Sequence, residues 1–109
     1  MLPFLEQQRD AVRNLCQCYE VRRLDVFGSA VTGEFDASKS DLDFIVSFVE
    51  RTPGTYADKY LNLAESLESL FGRKVDLVTE DSVRNPYFRE AIERTRQSIY
   101  ERPTEKAAL

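Results

Sequence analysis

Asp41-Leu-Asp-Phe-Ile-Val-Ser-Phe-Val49 is a strongly apolar run with two acids at its head. A stretch of this length rich in Phe, Ile and Val reads as a strand. Strand side chains alternate faces, so Asp41 and Asp43, two apart, project from the same side of a sheet. Upstream, Arg22 to Phe27 alternates Leu24 and Val26 against Arg23, Asp25 and Phe27, then stops at Gly28-Ser29. That is a strand ending in a turn. Downstream, Lys74-Val-Asp-Leu-Val-Thr79 is a third strand, with Asp76 at a place where an ordinary sheet carries a β-branched residue.

Around these strands the apolar spacing changes to that of helices. From Pro3 to Tyr19, Phe4, Leu5, Val12, Leu15, Cys16 and Tyr19 recur on one helical face. Ser29 to Thr32 is a short small-residue segment interrupted by Gly33, followed by a loop of Asp36, Ser38, Lys39 and Ser40. Pro53-Gly54 breaks the chain. Thr55 or Asp58 then caps a helix whose Tyr60, Leu61, Leu63, Ala64, Leu67, Leu70 and Phe71 form a broad apolar face, and Gly72 is placed to terminate it. After Asn85-Pro86 a last helix is predicted from Tyr87 to Tyr100, with Phe88, Ala91, Ile92, Thr95 and Ile99 inward. The order α, β, short α, β, α, β, α predicts an α/β layer structure of about three strands with packed helices. Residues 1–102 read as one domain and 103–109 as a polar tail.

A chain of 109 residues holds one ordinary domain, and twelve aromatics supply a modest core. Fifteen Lys and Arg against nineteen Asp and Glu leave a net charge of −4, so direct nucleic-acid binding through a broad basic face is not expected. The absence of histidine removes His bases, Ser-His-Asp triads and His-containing zinc sites. Cys16 and Cys18, two apart on a helix, point in different directions rather than at each other, so no bridge is expected and both are expected to stay reduced, as in a cytoplasmic protein. No window reaches the roughly 18 apolar residues of a membrane span, so no membrane is expected as a partner.

Chemistry is then left to carboxylates, hydroxyls or thiols. If the second and third strands are neighbours, Asp41, Asp43 and Asp76 converge. At ~4 Å and an effective dielectric of ~20, each ionised pair repels by about 4 kcal/mol, so the cluster calls for protons or a cation. Oxygen-only donors favour Mg²⁺ or Mn²⁺. Taken singly, each acid has a plain structural use: Asp41 at a strand end, Asp43 toward water, Asp76 paired with Lys74 or an arginine. Together, and beside Gly28-Ser29, they point to a site. A glycine at a strand end admits close approach of a ligand to the backbone, and the N–H groups of the turn with the Ser29 hydroxyl suit phosphate oxygens.

Gly28-Ser29, eleven residues, then Asp41-Leu42-Asp43 followed by Phe-Ile-Val resembles the signature of the DNA polymerase beta-like nucleotidyltransferase superfamily. The likeness is greatest to the minimal nucleotidyltransferases (MNT), the antitoxin halves of HEPN-MNT toxin-antitoxin pairs. The resemblance implies a mixed sheet and transfer of a nucleoside monophosphate from a nucleoside triphosphate. It implies that Asp41 and Asp43 bind two Mg²⁺ ions, that Asp76 joins the catalytic metal and helps deprotonate the acceptor, and that Gly28 and Ser29 hold the triphosphate of ATP. Two departures stand out. Arginines that commonly follow the Gly-Ser are replaced by Ala30-Val31-Thr32-Gly33, which either weakens triphosphate binding or leaves Lys39 to stand in. The spacing to Asp41 is one residue longer than usual.

The chain is too small to carry the extra substrate domains of template-directed polymerases, so a small molecule or a partner protein must complete the site. The resemblance favours AMP transfer from ATP to a tyrosine of a cognate HEPN ribonuclease toxin, which neutralises it. The alternative is an antitoxin that neutralises the HEPN toxin by binding and masking it, with little or no catalysis. A third reading is an α/β domain without a site. Tyr87 and Tyr100 are read as core or ordinary surface positions, with a partner surface as the alternative use.

Overall fold

The computed structural model describes residues 3–33, 41–49 and 55–103. The chain runs α1 (Pro3–Gln7), α2 (Arg9–Cys18), β1 (Val21–Phe27), α3 (Ser29–Thr32), β2 (Leu42–Phe48), α4 (Tyr56–Phe71), β3 (Val75–Thr79), a 3-10 turn (Glu80–Ser82), α5 (Pro86–Thr95) and β4 (Gln97–Glu101). The sheet order is β3-β2-β1-β4. β2 and β3 are parallel, while β1 pairs antiparallel with both β2 and β4. This is the mixed sheet that the sequence motif implied.

Two features differ from the sequence reading. The single helix expected over Pro3 to Tyr19 is two segments separated at Gln8, whose backbone (φ −100°, ψ 9°) leaves the helical region. The last helix stops at Thr95, and Gln97–Glu101 is a fourth strand rather than the helix end predicted to Tyr100. Arg96 is extended (φ −61°, ψ 138°) and starts that change of direction. β1 would otherwise present an open edge, and Ile99 and Tyr100 are side chains suited to a pleated surface. Both are buried. Ile99 satisfies the helical spacing and the strand equally, which is why the pattern misled. Accordingly Phe88 and Ala91, expected inward, are exposed, and Ile92 is the buried residue of α5.

The main core lies on one sheet face. Leu24, Val26, Leu42, Phe44, Val46, Val75 and Leu77 meet Val12 and Cys16 of α2 and Leu63 and Leu67 of α4. Burial pushes the Cys16 thiol up to about 12, so it is an inert core group, and Cys18 is a free exposed cysteine. Gly72 ends α4 in the left-handed conformation (φ 64°), its N–H donating to the Glu68 carbonyl. The opposite face carries a smaller cluster of Phe27, Ile45, Val83 and Ile92 under α5. Asp25, Asp43 and Asp76 alternate onto this second, thinly covered face. The expected loop of Asp36 to Ser40, Pro53-Gly54 and all but Pro103 of the expected tail 103–109 lie outside the described residues.

Candidate active site

Register brings two of the three acids side by side. Asp43 is the second residue of β2 and Asp76 the second of β3, and the two are partners across the parallel pair. Neighbouring strands are about 4.8 Å apart, so these carboxylates share one patch of the open face. Asp41 stands two residues upstream of Asp43, just before β2. Asp43 is half-buried, whereas Asp41 and Asp76 are exposed. Burial and the neighbouring charges of Asp76 and then Asp41 push the Asp43 carboxyl up to about 6. Among the described residues no three His, Cys, Asp or Glu side chains are already drawn into a group that would hold a metal ion. The carboxylates form an open set, crowded around Asp43.

The other wall is the end of β1. Phe27 is the partner of Asp43 in the antiparallel pair, so Gly28 follows at the edge of the acid patch. Its backbone (φ 77°, ψ −144°) is left-handed, and a Cβ there would lie 2.8 Å from Asp43 Oδ2. Glycine is required twice over, by conformation and by contact. Ser29 opens α3, a four-residue helix in which the Val31 and Thr32 N–H groups donate to the Gly28 carbonyl. Ala30 is buried and Val31 packs on the main core, which accounts for apolar residues where arginines were expected. Lys39, the alternative source of charge, lies outside the described residues.

Apart from Tyr87, the neighbours of this patch carried no sequence signal for a site. Thr95, at the end of α5, accepts the Gly28 N–H at 3.1 Å. Phe88 meets Phe27 edge-on with ring centroids 6.0 Å apart, and Tyr87 beside it is 82% exposed. The Tyr60 hydroxyl donates to the Leu77 carbonyl, and burial first, then the Asp76 charge, raises its pKa. Tyr56 and Tyr60 of α4 also line a groove of about 680 Å³ along the outer edge of β3 with Thr79, Ser82 and Arg84.

In the sequence Asp25 is one of the alternating polar positions of β1. It is fully buried and belongs to an ionic network beside the acid patch. Arg23 Nε donates to its Oδ1 at 3.0 Å, and Arg96 Nε to its Oδ2. Arg96 also pairs with Glu80 and with Glu93, the latter at 2.8 Å, and Arg89 donates to Glu80 at 3.0 Å. Burial works to raise the Glu80 pKa, but the hydrogen bonds from Arg96 and Arg89 prevail and lower it. The network ties β1, the 3-10 turn, α5 and Arg96 between α5 and β4 together, and so fixes the helix that faces Gly28.

The nucleotidyltransferase domain family matches residues 5–99. The chain belongs to this family. It is 41% identical over 75 residues to a Methanocaldococcus jannaschii protein named as a protein adenylyltransferase, MJ1379, covering 69% of this chain and 73% of the relative. It is 40% identical over 73 residues to the protein adenylyltransferase MntA of Thermococcus cleftensis, covering 67% and 70%. A solved structure named as a minimal nucleotidyltransferase superposes with a TM-score of 0.69 at 35% identity over 86% of this chain and 91% of that one. The MNT antitoxin solved in complex with the tri-AMPylated HEPN toxin of Shewanella oneidensis shares the fold, with a TM-score of 0.62 at 16% identity over 95% of this chain and 76% of that one. This nucleotidyltransferase is an enzyme of the class its Gly-Ser and Asp-x-Asp residues suggested.

Proposed function

We propose that this nucleotidyltransferase is a cytoplasmic antitoxin that transfers AMP from ATP to a tyrosine of a HEPN-domain toxin. The observation that carries the reading is the register pairing of Asp43 with Asp76, with Gly28 so close to Asp43 that a Cβ there would lie 2.8 Å from its Oδ2. Adenylyltransferase relatives support the choice of AMP, and the shared fold of an MNT antitoxin bound to a tri-AMPylated toxin supports the choice of partner.

Divalent cations suit the site. All its side-chain donors are oxygens, and the ionised Asp43 is opposed by burial and by two neighbouring acids, a cost that a cation offsets. Asp41 and Asp43 would hold two Mg²⁺, or Mn²⁺, ions, with Asp76 joining the one nearer the acceptor. When bound, the metals neutralise charge developing on the phosphate oxygens.

The protein groups orient the rest. Gly28 leaves room for the triphosphate to approach the backbone, and the Ser29 N–H and hydroxyl donate to its oxygens. The acceptor oxygen forms a bond to the α-phosphorus while the bond to the bridging oxygen of the β-phosphate breaks and pyrophosphate leaves. The exposed Asp76 carboxylate takes the proton of the acceptor hydroxyl.

Transfer of label from α-labelled ATP to the toxin tests this directly. Asp41→Asn, Asp43→Asn and Asp76→Asn are each expected to lower transfer by at least a hundredfold while leaving a folded protein, as judged by circular dichroism. No transfer by the wild type to its partner would overturn the reading. A masking antitoxin is favoured by one observation, the packing of buried Ala30 and partly buried Val31 onto the core where cations would assist the triphosphate. It predicts that the three amide variants neutralise the toxin as well as the wild type does.

A further inference from the structure

The Gly28 peptide is held from outside its own turn. Its N–H donates to Thr95 Oγ1, and the same hydroxyl donates to the Ala91 carbonyl at 3.0 Å. The proton of Thr95 is thus committed to α5, and the oxygen presents a lone pair to Gly28. The helix end that carries Thr95 is itself pinned, because the next residue, Arg96, pairs with Asp25, Glu80 and Glu93. Glycine imposes little torsional preference of its own, so the orientation of the Phe27–Gly28 peptide needs an external partner. A competing acceptor is close at hand, since Asp43 Oδ2 crowds the same glycine. Without Thr95 the Gly28 N–H is free to turn away from α5, and the orientation of the turn beside Asp43 is no longer fixed.

We propose that Thr95 is a positioning residue for the nucleotide: its hydroxyl fixes the Gly28 peptide so that the Gly28-Ser29 turn stays open to the triphosphate beside Asp43. The proposal rests on the reading of that turn as the phosphate cradle. Thr95 acts through Gly28 and does not touch the reacting atoms. Its loss bears on nucleotide binding more than on the chemical step, because Asp43 and Asp76 are held by their own strands.

The test compares Thr95→Val, which keeps the shape and removes the hydroxyl, with Thr95→Ser, which keeps the hydroxyl, and with Gly28→Ala. AMP-PNP with Mg²⁺ is titrated calorimetrically into each full-length protein, and exchange of the Gly28 amide is followed by NMR. Thr95→Val is expected to weaken AMP-PNP binding about tenfold and to expose the Gly28 amide to exchange. In transfer assays it raises KM for ATP and changes kcat by less than threefold, while Thr95→Ser restores all these properties. Wild-type binding by Thr95→Val alongside lost binding by Gly28→Ala would overturn the role of Thr95 and leave the cradle standing. Wild-type binding by both variants would overturn the cradle, and the role of Thr95 with it. Equal weakening by Thr95→Ser and Thr95→Val would also overturn the proposal, since the hydroxyl would then not be the operative group.

Discussion

Asp43 concentrates the conflict on which the site is built. Its carboxyl, at about 6 against an ordinary 3.8, is raised first by burial and then by Asp76 and Asp41. Between those two values the folded protein binds more protons than the unfolded chain, so its stability falls as pH rises through this window. Thermal melts in a chelator are expected to show the midpoint dropping from pH 4 to pH 7, and Asp43→Asn to flatten that slope and raise the midpoint at pH 7. An unchanged slope in the variant would show that Asp43 does not carry the effect. Asp25 is the contrasting acid. It is fully buried yet matched by Arg23 and Arg96, so Asp25→Ala leaves two cations without their shared acceptor and is expected to cost about 3 kcal/mol in urea denaturation. The sequence marked Asp41, Asp43 and Asp76 because acids at the head or middle of apolar strands need a reason. Asp25 went unmarked, because its neighbours Arg23 and Phe27 let it pass as one more outward position.

At the scale of elements, α5 and β4 show how a pattern can serve two structures. The start of α5 was legible: Asn85 caps it, its side chain accepting the N–H groups of Tyr87 and Phe88 at 2.9 and 3.2 Å, with Pro86 in the first helical position. Asn85→Ala is expected to cost about 1 kcal/mol, measurable as a lowered melting temperature. Its end was not legible, because the spacing from Ile92 through Thr95 to Ile99 fits a helix, and only the unpaired side of β1 called for a strand there. Pairing of Asp25 with Ser98 and Leu24 with Tyr100 closes that edge. Ser98→Pro, which fixes φ and removes a main-chain donor from the strand paired with β1, is expected to destabilise the protein, with the loss read by denaturation and by hydrogen exchange in β1. Strands β1, β2 and β3 were each recognisable, since apolar alternation bounded by Gly28, by Gly72 and by paired acids has no helical counterpart.

Over the whole molecule, the sheet separates structural from chemical duties. One face carries the main core under α2 and α4, and the other holds the acids beside a small cluster under α5. A thinly covered face of this kind gains stability from a ligand that binds only the folded state. Mg²⁺ with AMP-PNP is expected to raise the melting temperature of the wild type and not that of Asp43→Asn, and at a hundredfold excess over Kd the gain is about 2.7 kcal/mol. No shift in the wild type would count against the nucleotide site as a whole. The amino-acid order by itself determined which residues could do chemistry: without histidine, oxygen donors remain, and the spacing of Gly28-Ser29 from Asp41 and Asp43 is local information carried by a strand, a turn and a strand. Only the tertiary structure decided that β2 and β3 lie parallel in the register that sets Asp43 against Asp76, that Gln97–Glu101 closes the sheet, and that Thr95 reaches Gly28. These are contacts between residues tens of positions apart, and they form where burial, edge pairing and buried charge are satisfied together.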